Sequence, residues 1–142
     1  MSYDGPATEG GAESELHAAS WRGDIDWVKD VLEDGADINF VDSAGETAIF
    51  GAAAKGRSQV VSLLITFGAK INLRENYGYT PLHWAASHGN VETLRVLVEA
   101  GADVRASDDR GQLPVDVAHQ HGKGSHVAYL KTVGPPIASR RQ

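Results

Sequence analysis

Hydrophobic and polar positions along the chain recur with a fixed period and predict pairs of helices. In the third period, residues 82–88 are apolar at helical spacing, and Val91, Leu94, Leu97 and Val98 form one stripe of a second helix. Thr80 and Pro81 precede the first helix, as is typical of a helix start, because threonine caps free amides and proline needs no amide partner there. Each period therefore predicts a short helix, a tight turn, a longer helix and a turn-rich loop.

Glycine and alanine mark the period most clearly. Gly45, Gly78 and Gly111 are each 33 residues apart. Three further columns keep this register without an insertion: Gly35, Gly68 and Gly101; Gly23, Gly56, Gly89 and Gly122; Ala19, Ala52, Ala85 and Ala118. Such self-similarity predicts an array of stacked units rather than a domain with one central core. Gly89 is expected to adopt the left-handed conformation that ends the short helix.

The segment Thr-Pro-Leu-His-Trp-Ala-Ala at residues 80–86, together with the period, resembles the signature of the ankyrin repeat. Residues 47–53 are a looser copy, and residues 113–118 are looser still. The resemblance covers about 120 of the 142 residues. It implies an all-α repeat solenoid, an ankyrin-repeat stack of four helix-turn-helix units linked by β-hairpin-like loops.

The domain is expected at residues 13–133, between disordered tails at 1–12 and 134–142. Its units are expected at about 13–41, 42–74, 75–107 and 108–133. Asp30 and Lys131 are charged at second-helix positions where the internal units are apolar. Because a terminal repeat needs a polar outer face, these charges predict a closed stack of four units and a monomer.

Composition narrows the function classes. Apolar residues make up 42% of the chain, charged residues 23%, and there is no cysteine, which excludes disulfides and thiolate metal sites. The net charge of −6 argues against nucleic acid as a partner. No apolar run approaches the roughly 18 residues that a membrane span needs, and no secretory signal is visible. These features favour a cytoplasmic location and also allow a nuclear one.

Catalytic motifs are not apparent. No phosphate-binding glycine loop and no nucleophile elbow occurs, so we predict a non-enzyme without cofactor or metal. The resemblance implies that His17 and His83 are structural histidines, which tie loop backbone between repeats. The remaining histidine cluster, at His119, His121 and His126, is the basis of an alternative function. It would make the chain an enzyme regulator or a metal-binding or ligand-binding protein, although helical side chains two residues apart diverge by about 200°.

The resemblance implies that hairpin tips and the ends of the short helices form a concave binding face. A non-catalytic module for protein–protein interaction is therefore expected, acting as an adaptor, chaperone or inhibitor. The expected contact residues are Trp21, Arg22, Ser43, Ala44, Glu46, Lys55, Asn76, Tyr77, Tyr79, Ser87, His88, Asp109, Arg110, Gln112 and His121.

Two patterns on this face predict the kind of partner. Trp21, Tyr77 and Tyr79 are aromatics that packing between repeats does not require, and exposed aromatics are enriched in binding hot spots. Trp84 and Trp27 are instead expected in the core. A column of Arg22, Lys55, His88 and His121 at 33-residue spacing predicts an acidic peptide or surface loop as the partner. Its binding is expected to strengthen as the histidines gain charge near pH 6.5.

Overall fold

A computed structural model describes residues 11–133. Residues 1–10 and 134–142, which make up most of the two tails expected to be disordered, lie outside the described residues. The described part folds into eight helices and contains no strand: α1 (Ala12–Arg22), α2 (Ile25–Glu33), α3 (Ala48–Ala54), α4 (Ser58–Thr66), α5 (Pro81–His88), α6 (Val91–Glu99), α7 (Pro114–Gln120) and α8 (Gly124–Val133). No helix in this part of the chain could cross a membrane.

The helices form two rows, which confirms the predicted all-α solenoid of paired helices. Helices α1, α3, α5 and α7 pack side by side in an inner row, and each helix of the outer row packs on the inner helix of its own repeat. The inner helices are called the short helices below, although α1, with 11 residues, is longer than α2, with 9. Neighbours in the outer row of α2, α4, α6 and α8 contact each other less extensively than neighbours in the inner row. The stack therefore curves toward the short helices, whose outward side becomes its concave face.

The alanine column explains why the inner row packs so closely. Ala19, Ala52, Ala85 and Ala118 are all 0% exposed, and each lies on a short helix against its neighbours. Larger side chains from the outer row fill the space between the rows. Four residues of the outer row, one in each repeat at 33-residue spacing, are all buried: Val31, Leu64, Leu97 and Leu130.

A carboxylate braces each of the three hairpin-like loops. Asp42, Glu75 and Asp108 each accept two backbone N–H groups of their own loop, from the residues two and four positions later, at 2.6–3.3 Å. Each loop also closes with a backbone bond of 2.9 Å between its first and fifth residues. Neighbouring loops bond to each other, because Asn76 N–H donates to the Ala44 carbonyl and Asp109 N–H to the Tyr77 carbonyl. The loops thus form a continuous hydrogen-bonded edge.

Two histidines tie a short helix to the hairpin of the next repeat. His17 Nε2 lies 3.0 Å from the Glu46 carbonyl oxygen, and His83 Nε2 donates to the Gln112 carbonyl at 2.9 Å. Burial is the main cause that lowers the pKa of His83, whose Nδ1 accepts from the Thr80 N–H. Both contacts match the role that the family resemblance implied.

The prediction for Gly89 was wrong. Its φ is −87° and ψ is −149°, so the backbone is not left-handed. A Cβ at this position would lie 2.6 Å from the Ala53 carbonyl oxygen and 2.9 Å from Ala85 Cα. Glycine is therefore required because two helices approach closely here, whereas Gly56 in the same column does have a positive φ of 68°.

The fourth repeat is held to the third by a buried histidine. His126 is 6% exposed, and its Nδ1 donates to the Ala86 carbonyl at 2.8 Å. Asp30 and Lys131 are both exposed to solvent, on the first and fourth repeats respectively. The closed stack that these charges suggested stays a prediction.

We expect amide hydrogen exchange to be slower in α6 than in α8. Helix α6 packs between α4 and α8, whereas α8 has one neighbour in the outer row of the described residues and begins at an exposed glycine. Exchange measured by NMR should show residues 125–133 losing protection before residues 91–98. Equal or greater protection of 125–133 would contradict this order.

Candidate functional site on the concave face

A continuous groove runs along the concave face. Three adjoining pockets form it, and each shares side chains with the next: the first two share Trp21 and Glu46, and the second and third share Trp84 and His88. The groove starts beside His17 on α1 and ends at His121, beyond α7. Its middle pocket has a volume of about 490 Å³.

The middle of this groove is a slot between two tryptophans. Trp21 from α1 and Trp84 from α5 both line it, and Gly51 and Ala54 belong to α3, the helix between them. Trp21 is 51% exposed and Trp84 is half-buried. We call the space bounded by Trp21, Gly51, Ala54 and Trp84 the central slot.

Gly51 has no structural reason to be glycine. It lies inside α3 without a positive φ, and a Cβ there would meet only Trp21, at 3.4 Å from Cε3, which is ordinary contact. Glycine inside a helix is less favourable than alanine by up to about 1 kcal/mol. The helix therefore gives up stability at a position where a larger side chain would narrow the central slot.

A lysine and a glutamic acid lie at the two edges of the slot. Lys55 is exposed, and its Nζ is 5.0 Å from the centre of the Trp21 ring, which is a cation–π distance. Glu46 lies at the hairpin edge. Burial raises the pKa of Glu46 to about 7, with repulsion from Asp42 and Glu75 adding to the effect and His17 opposing it.

The basic column does not act as a uniform cationic stripe. Arg22 turns to Trp27, with its guanidinium carbon 5.7 Å from that ring, while Lys55 stays over Trp21. The rings of His88 and His121 lie 5.2 Å apart. Burial, then His121 and Lys123, lowers the pKa of His88, so the gain in charge of His88 moves below pH 6.5.

The aromatic residues divide into exposed and groove-lining groups. Trp21 and Tyr77 are exposed, at 51% and 71%, as the sequence predicted. Tyr79 is not free, because it packs edge-on against Trp84 at 5.8 Å. Trp84 packs against the core, as expected, and it also lines two of the three pockets. Its ring centre lies 5.4 Å from that of His88. Its place inside the repeat signature concealed this role.

The remaining predicted residues differ in how free they are to bind. Ser43, Ala44 and Arg110 are exposed at hairpin tips. Asn76 and Asp109 are exposed too, but both side chains already have partners. The Asn76 amide donates to the Ser43 carbonyl at 2.9 Å, and the Asp109 carboxylate pairs with Arg74 at 3.0 Å. Ser87 is buried, at 4% exposed, and Gln112 is half-buried.

The histidine cluster of the alternative function does not form. His126 is committed to the Ala86 carbonyl, His121 lines the groove, and His119 lines a separate pocket at the edge of the last repeat. Within residues 11–133, no three histidine or carboxylate side chains come together to hold a metal. The sequence could not reveal this separation, because it depends on a contact between residues 40 positions apart.

The comparisons agree with the architecture. The family described as ankyrin repeats (3 copies) matches residues 16–108, more than half of the chain. The chain therefore belongs to the ankyrin-repeat family, whose members generally serve as protein–protein interaction modules and are typically non-catalytic. Helices α7 and α8 continue the same packing beyond the matched range. A search of curated proteins gave no match.

We expect Glu46→Gln to stabilise the fold at high pH. With a folded pKa of about 7 and an ordinary value of 4.5, the folded state binds more protons across this window. The free energy of unfolding therefore falls as pH rises from about 4.5 to 7. Because Glu46 is half exposed, screening limits the gain to about 1 kcal/mol near pH 8. Urea unfolding at several pH values measures the stability gain of Glu46→Gln, and exposed Glu33→Gln is the control. A gain that persists near pH 4 would contradict the raised pKa of Glu46.

We expect Gly51→Ala to raise the free energy of unfolding by up to about 1 kcal/mol, since the new methyl group fits and favours the helix. Gly89→Ala is the matched control and should destabilise, because its Cβ would clash with the Ala53 carbonyl. Urea denaturation of both variants tests the pair. A loss of stability in Gly51→Ala would mean that the backbone requires this glycine.

Proposed function

We propose that the chain is a non-catalytic interaction module that holds a partner protein in the groove of its concave face. An apolar side chain of the partner enters the central slot. The observation that carries the proposal is Gly51, a helix-interior glycine with no backbone role between two tryptophans. Binding sites are a common reason for keeping locally unfavourable residues.

Exposed aromatics supply most of the binding energy in this proposal. Trp21 beside the slot and Tyr77 at a hairpin tip are large, have few rotatable bonds and are more than half exposed. Such side chains dominate the energetics of many interfaces once a partner excludes water from them.

Charge gives the partner's orientation. Lys55 is exposed and lies over Trp21 at one edge of the slot, whereas Asp42 and Glu46 lie in the groove on the hairpin side. An acidic peptide or surface loop therefore places its acidic group at the Lys55 edge, away from the hairpin carboxylates. A module that covers an acidic segment of its partner in this way acts as an adaptor, a chaperone or an inhibitor. We propose a monomer, located in the cytoplasm or nucleus, that acts without nucleic acid, membrane or cofactor.

The partner is best identified by cross-linking and pull-down with the intact chain as the bait. The Gly51→Leu variant, whose leucine side chain fills the central slot, is the second bait. A true partner is retained by the wild-type chain and lost from this bait. Circular dichroism of Gly51→Leu provides the control for folding. A partner that both baits retain equally would exclude the slot.

With that partner, we expect Tyr77→Ala and Lys55→Glu to weaken binding with different dependence on salt concentration. Loss of the aromatic side chain should cost about 2 kcal/mol, or about 30-fold in affinity, at every salt concentration. Reversing the exposed charge should weaken binding chiefly at low salt. Calorimetry at two ionic strengths separates the effects, with exposed Lys29→Ala on α2 as the control. If Lys29→Ala weakens binding most, the partner docks on the convex side.

A further inference from the structure

At the far end of the groove, two histidines from adjacent repeats line one pocket. His88 ends α5, and His121 lies directly after α7, at the equivalent position of the next repeat. Their ring centres are 5.2 Å apart, with the ring planes inclined by 62°. Both are exposed residues, so an ion can reach the pocket from solvent.

Hydrogen bonds leave the same nitrogen free on both rings. His121 Nδ1 lies 3.0 Å from the Val117 carbonyl, which can only accept, so this nitrogen donates. The Ser87 oxygen lies 2.7 Å from His88 Nδ1 and 3.3 Å from the Trp84 carbonyl oxygen, so when the hydroxyl donates to this carbonyl it accepts from Nδ1. In that arrangement each Nε2 carries a lone pair. Histidines that bind metals are typically oriented in this way by a partner at the other ring nitrogen.

The spacing of the rings suits one shared ion. Two imidazoles that bind a tetrahedral ion at about 2.0 Å have ring centres about 5 Å apart. No carboxylate lines this pocket, whose other walls are Tyr79, His83, Trp84, Ser87 and Val117. Imidazole ligands without carboxylates select zinc or copper rather than magnesium or calcium.

We propose that His88 and His121 form a two-histidine site for a zinc or copper ion, with its remaining positions open to water. This site shares only His121 with the cluster that does not form, and it requires no partner protein. The charge of Lys123 also acts on His88 and opposes a bound cation. Replacing Lys123 with a neutral residue is therefore expected to strengthen binding.

Isothermal titration of the intact chain with Zn²⁺, and separately with Cu²⁺, at about pH 7.5 tests the site. We expect one ion per chain, with affinity reduced at least about tenfold in either His88→Gln or His121→Gln. Ser87→Ala should weaken binding by about tenfold, because it removes the group that orients His88. Exposed His119→Gln, in a different pocket, is the matched control and should bind as the wild type does.

Three outcomes would overturn the site: no binding by the wild-type chain, wild-type affinity in either groove variant, or an equal loss in His119→Gln. Thermal unfolding without metal checks that each variant folds. Should either glutamine variant fail to fold, Lys123→Gln decides the question, because unchanged or weaker binding of the ion would contradict the proposal. None of these results depends on whether the groove binds a protein.

Discussion

The carboxylate that braces each hairpin is the interaction on which the rest of the structure depends. A repeat has too little core to fold alone, so neighbouring repeats must meet in one register. Asp42, Glu75 and Asp108 hold their loops rigid by accepting two amides each. Rigid loops can then bond to one another and receive the histidine ties from the preceding short helix. The hydrogen-bonded row of loops also determines the shape of the groove, because the loops determine where the short helices begin.

The second repeat lacks the histidine tie to the next hairpin and has an apolar residue beside the groove instead. Where the first and third repeats have His17 and His83, the second has Phe50, which cannot bond to the next hairpin. The buried Thr47 hydroxyl consequently has no hydrogen-bond partner among residues 11–133, whereas Thr80 bonds to His83. Phe50 is almost fully buried but still borders the central slot. The repeat thus exchanges two polar contacts for a buried aromatic ring beside Gly51.

Sequence periodicity was sufficient for the fold but only partly for the site. The 33-residue columns predicted the paired helices, and the buried alanines confirm why that column is so uniform. Gly89 shows the limit, since its place at the end of the short helix suggested a left-handed turn, whereas the close approach of the Ala53 carbonyl is what requires glycine. Trp84 and the raised pKa of Glu46 depend on neighbours from other repeats. A pattern within one repeat contains no information about such neighbours.

The unequal packing of the two rows has a mechanical consequence. When a curved stack flexes, the closely packed row resists changes in length and the loosely packed row takes up the strain. The inner row of α1, α3, α5 and α7 therefore lies near the neutral axis of bending. Trp21, Gly51 and Trp84 all belong to this row, so thermal bending changes the spacing of the outer helices and leaves the width of the slot nearly constant.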